Sequence, residues 1–144
     1  MNTKRILLGS IAAFVVMFIL GGLWNAVLMT SFYERHAPSN ARPPAETSLL
    51  FVVLGYVLLV AFMTFLLAQS FRTRPSVLES FQFGALFGVI ATLPIYLILY
   101  AIWNVSLTML LVDSGWHLVQ EGIGAVVLGL TMFSPKPKEA EAIR

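Results

Sequence analysis

Cysteine is absent from all 144 residues, which excludes disulfides, thiol catalysis, thiolate metal sites and thiol-based quinone chemistry. Charge is scarce as well. Lysine, arginine, aspartate and glutamate together make 11% of the chain, against about 25% in an ordinary soluble domain. The two histidines, His36 and His117, fall on a loop and in an apolar run, so a bis-histidine haem across a helix bundle has no ligand pair. The Glu-x-x-His pairs of di-iron bundles are missing too. No metal site and no cofactor are assigned. The nine basic residues are scattered between apolar runs and form no nucleic-acid footprint.

What the chain has is apolar length. It is 58% hydrophobic, with a mean hydropathy of +0.86, which points to the lipid bilayer as its partner. The first run starts behind Lys4 and Arg5 and is too long for a signal peptide; it passes into Gly21-Gly22-Leu23-Trp24-Asn25 without a cleavage pattern, so it reads as a retained span. It is the first of four spans, at about 6–29, 48–70, 77–103 and 106–133. The stretch 30–47 carries Pro38, Pro43 and Pro44 and reads as an irregular connector, with Trp24, Phe32 and Tyr33 as interfacial aromatics. Ser76 and Glu79 form a capping box opening the third span, and Pro94 is expected to kink it. Residues 134–144 form a short polar tail.

Lys4, Arg5, Arg72, Arg74, Lys136, Lys138 and Arg144 fall on one side of these spans, and only Arg35 and Arg42 on the other. The positive-inside rule then places both termini in the cytoplasm and 30–47 outside. The expected fold is all-α: a polytopic, four-transmembrane-helix up-down bundle forming a single domain.

The fourth span carries Asp113, His117 and Glu121 at steps of four, which puts them on one helix face, climbing by about 40° per step. Ionisable groups this deep cost about 2.5–3.5 kcal/mol each to insert, so they are usually paired and functional. Around the same helix, Gly115, Gly122 and Gly129 recur by seven opposite the polar face and read as a packing seam. Val112, Trp116, Val119, Ile123 and Leu130 fill the remaining, lipid-facing arc. Gly84 and Gly88 make a further small-xxx-small pair on the third span.

Antiparallel spans bring residues of equal depth together. Asn25, Tyr56, Tyr96, Tyr100 and Asp113 share the outer half, His117 and Thr92 lie near the middle, and Glu121 lies somewhat lower. With agreeing faces, Asn25, Tyr56, Tyr96, Asp113 and His117 line a polar pocket with Glu121 as its floor. A plainer reading stands beside each. Asp113 can pair with Arg35 or snorkel outward, His117 can be a structural histidine held by a carboxyl one turn away, and the tyrosines can be packing aromatics. Asn104-Val105-Ser106 matches a glycosylation sequon but sits in a tight turn against the membrane.

Gly21-Gly22-Leu23-Trp24, Gly84-Ala85-Leu86-Phe87-Gly88, and Asp113 with Trp116 ahead of Gly124 to Gly129 form a series covering most of the chain. It resembles that of small four-helix bacterial integral membrane proteins grouped as domains of unknown function. There the first-span tryptophan is often followed by tyrosine, where this chain has Asn25. The resemblance implies a helical bundle in the bacterial inner membrane and carries no activity.

Three function classes fit. One is a pocket protein that binds or relays a small polar ligand, ion or proton through Asp113, His117 and Glu121. Another is an accessory or assembly subunit, or a homo-oligomer, packing against a membrane-protein partner. The third is an intramembrane enzyme using His117 and a carboxylate in acid–base work.

Overall fold

A computed structural model describes residues 2–38, 41–42, 44–103 and 105–133. The polar tail, Asn104 and part of the proline-rich stretch lie outside these. The described chain is helical throughout: α1 (Thr3–Leu23), a π-helical turn (Trp24–Leu28), α2 (Thr30–His36), a 3-10 turn (Pro44–Glu46), α3 (Leu49–Ser70), α4 (Val77–Ile102) and α5 (Leu107–Met132). Local chemistry explains the ends. The Asn2 side chain accepts from the Lys4 amide at 2.9 Å and opens α1. The capping box at α4 closes both ways, with Ser76 N donating to Glu79 Oε2 at 2.7 Å and Glu79 N to Ser76 Oγ at 3.2 Å. α4 runs on through Pro94 as one helix.

The first loop differs from the sequence reading. Its prolines begin only at Pro38, so nothing forbids a helix before them, and Thr30–His36 form the short α2. The rest of the stretch, where it is described, has only the 3-10 turn as regular structure.

The four long helices alternate in direction. α5 is the central one, packed along α4 on one side and α1 on the other, with α3 resting mainly on α1. Arg5 Nη1 donates to the Phe133 carbonyl at 3.1 Å where α1 and α5 meet near the termini, and the Trp24 and Trp116 rings stack at 4.4 Å near the opposite end. Thr3–Leu28, Leu49–Ser70 and Val77–Ile102 are each long and apolar enough to cross a membrane. Large side chains such as Leu50, Phe51, Leu58 and Phe65 stand exposed along α3, as lipid-facing positions do.

The α4–α5 contact is closest where the polar face lies. A Cβ on Gly88 would sit 2.5 Å from the His117 carbonyl oxygen, and one on Gly84 would run into the Glu121 carbonyl oxygen. The small-xxx-small pair therefore seats the backbone of the two residues that carry the deep polar groups. Gly122 packs on the Phe81 ring, at 2.6 Å from an added Cβ, and Gly129 packs on Ser80. Gly115 does not join this seam: nothing lies within 4 Å of its added Cβ. At that level α4 has crossed to the His117 side of α5, and seven-residue spacing no longer finds it. Trp116, expected to face lipid, instead stacks on Trp24.

Candidate functional site

Asp113 lies two turns inside α5, and both of its oxygens are used. Tyr96 Oη on α4 donates to Oδ2 at 2.8 Å, and Tyr33 Oη on α2 donates to Oδ1. Tyr33 is free to do so because its own oxygen accepts from Trp24 Nε1 at 2.9 Å. Burial, then the bond to Asp113, pushes the Tyr33 phenol well above its ordinary range, with the Trp24 N–H pulling weakly the other way. It stays a donor at any physiological pH.

From Tyr96 the bonding continues inward. Its oxygen lies 3.3 Å from His117 Nε2, and His117 Nδ1 lies 2.9 Å from Glu121 Oε1. Donor counting fixes the tautomer. The single Tyr96 hydrogen goes to Asp113, so His117 Nε2 must carry a hydrogen and donate. One further proton is then shared between Nδ1 and Oε1, as imidazole with carboxylic acid or as imidazolium with carboxylate. Glu121 is 0% exposed, and its Oε2 has no hydrogen-bond partner among the described residues. Ser114 Oγ and Trp116 Nε1 are likewise buried without partners.

Of the residues singled out in the sequence, Asp113, Tyr96, His117 and Glu121 come together in one connected chain. Tyr56 and Asn25 do not join it. Tyr56 Oη accepts from Gln120 Nε2 at 2.8 Å, while Gln120 also donates to the Met17 carbonyl at 3.0 Å. Asn25 sits in the π-helical turn, exposed, with Nδ2 donating to the Gly21 carbonyl at 2.9 Å. Trp24, one residue earlier, holds the α5-facing position instead. Asp113 is bound by two phenols and not by Arg35, whose Nε donates to the Ser31 carbonyl at 3.0 Å. Tyr33 was read only as an interfacial aromatic. The signal that could have found it is its place one turn past Met29, where a short helix returns a phenol to the mouth of the bundle.

Helices of this apolarity around a wholly buried Glu121 paired with a largely buried His117 define an integral membrane protein with an internal polar site. The family described as "Predicted membrane protein (DUF2177)" matches residues 6–130, and the chain belongs to it. No curated protein and no solved structure matches the chain.

Proposed function

We propose that this is a four-span protein of the bacterial inner membrane that binds a proton on its outer side. Asp113 is the entry group, Tyr96 and His117 the relay, and Glu121 the resting place. The observation that carries this reading is the unbroken series of hydrogen bonds from Tyr33 at the mouth to buried Glu121. Each link is a group that can both accept and pass a hydrogen, and the pair at the end holds one proton between two atoms.

The site serves one side only. Met17, Met63, Ala125 and Leu128 pack at and below this level, all fully buried and apolar, and the buried hydroxyls further in, Thr64 and Ser80, bond to Ser10 and to the Ser76 carbonyl and not to Glu121. The molecule on this reading is a proton-loaded site and not a wire through the membrane.

α5 acts as the fourth span despite its carboxyls. Its 26 residues reach about 39 Å, more than a hydrocarbon core of about 30 Å, and its polar side chains bond to α1, α2, α3 and α4. With the basic residues clustered at the opposite end, both termini lie in the cytoplasm and the 30–47 loop outside. Reporter fusions after Ala45 should report the outside and fusions after Arg74 the cytoplasm; the reverse pattern would put the mouth on the wrong side.

The functional test is Glu121→Gln, which keeps volume and hydrogen bonding while removing the titratable group. The variant should insert and fold but lose one exchangeable proton in nanodiscs. Unchanged proton exchange would leave the polar chain as adhesive between helices, the role an accessory subunit needs.

A further inference from the structure

Asn25 and Tyr56 are the two sequence-flagged residues that the Asp113–Glu121 chain does not use, and they meet elsewhere. A cleft of about 520 Å³ opens between the ends of α1 and α3, with Phe18, Gly22, Asn25, Thr47, Leu49 and Tyr56 among its lining residues. That volume lies within the roughly 300–1,000 Å³ of small-molecule pockets.

Its chemistry is specific in what it offers. Among the described residues no charged side chain lines it, so neither an ion nor a phosphate finds a counter-charge in that lining. The polar groups are an amide, a hydroxyl and a phenol. The Tyr56 oxygen accepts from Gln120, but the phenol hydrogen has no acceptor among the described residues. That oxygen lies against Gly21, itself part of the lining, so the unspent hydrogen sits at the inner wall. Asn25 spends one amide hydrogen on Gly21 and keeps the other. The walls, Phe18, Leu49 and Val52, are apolar, and they stand at the end of two spans, where the ester carbonyls of a bilayer lie. The π-helical turn carrying Asn25 is a feature that collects at functional sites.

We infer that this cleft binds an uncharged, carbonyl-bearing lipid drawn from the bilayer, its carbonyl oxygen taking the Tyr56 hydroxyl and the Asn25 amide while its chain lies against Phe18 and Leu49. The inference is independent of the proton site. It uses donors that the protein leaves unspent, and it places the acceptor where the membrane supplies one.

Photolabelling of the full chain in nanodiscs by an alkyl benzophenone, an uncharged ketone, tests this. Label should fall saturably on the peptides around 18–26 and 47–56. Methyl decanoate should compete, whereas decane and the decanoate anion should not. Tyr56→Phe should weaken that competition about five-fold, the effect of one lost hydrogen bond. Gly22→Leu should abolish the saturable label; an added Cβ there meets nothing within 4 Å, so the side chain fills the cleft without disturbing the helices. Equal competition by decane, label spread evenly over the outward faces of α3 and α4, or cross-links to a second copy of the chain would each overturn the assignment. So would full labelling of Gly22→Leu. Saturable label that persists in Glu121→Gln supports the cleft whatever becomes of the proton site.

Discussion

Gly88→Ala should do more damage than its single methyl suggests. The new Cβ would lie 2.5 Å from the His117 carbonyl oxygen, 3.0 Å from its carbonyl carbon and 3.2 Å from Glu121 Cβ. Two of those three atoms are backbone, which cannot swing away as a side-chain tip can. Ordinary contact begins near 3.4 Å, so α4 and α5 must part by close to 1 Å at this level. Overpacking of this kind costs about 1–3 kcal/mol. The same shift would stretch the Tyr96–His117 contact, already 3.3 Å, past hydrogen-bonding distance and cut the relay at its middle. Gly115→Ala is the control, because its Cβ enters open space. Helix propensity alone makes that change neutral or favourable by up to about 1 kcal/mol. Thermal unfolding in detergent measures both variants side by side. A clear loss for Gly88→Ala and none for Gly115→Ala is expected; equal melting temperatures would refute the packing argument.

Other outcomes follow from the same geometry. Asp113→Asn leaves one acceptor oxygen for two phenols, so either Tyr33 or Tyr96 loses its partner, at roughly 1–3 kcal/mol, read as a lower unfolding temperature. Tyr33→Phe removes the tie between α2 and α5, and amide exchange over 30–36 should rise while that of α5 stays slow. The Tyr33 phenol, raised above its ordinary value, favours the folded state at all pH values below about 10 and loses that contribution only as pH climbs through the folded value. Ultraviolet titration should therefore place Tyr33 among the late-ionising tyrosines, and Tyr33→Phe should remove its share of the late signal. Glu121→Leu strips His117 Nδ1 of its partner and should destabilise by about 1–3 kcal/mol, whereas Glu121→Gln should fold normally.

Much of this architecture is legible in the residues themselves. Apolar run length locates the long helices, and Ser76 with Glu79 fixes the start of α4 to the residue. The four-residue steps of Asp113, His117 and Glu121 place them on one face, and depth alone brings Tyr96 to the same level. Rotation is what the sequence does not carry. Asn25 has the right depth, but Trp24 takes the inward direction, and a 100° step sends Asn25 to a different cleft. Gly115 has the right spacing but faces open space among the described residues, because where two helices cross depends on all their contacts at once. Tyr33 reaches Asp113 from 80 positions away through a seven-residue helix, a contact that only tertiary packing can make.

The central claim is that one exchangeable proton resides between His117 and Glu121 and is reached from the mouth of the bundle. Infrared difference spectroscopy of the protein in nanodiscs, stepped in pH, measures it through the carboxyl stretch of Glu121. The account predicts a carboxyl signal that titrates in the wild type, vanishes in Glu121→Gln, and is slowed in Tyr96→Phe, which breaks the link between Asp113 and His117. A wild-type signal that persists unchanged in Glu121→Gln would contradict it.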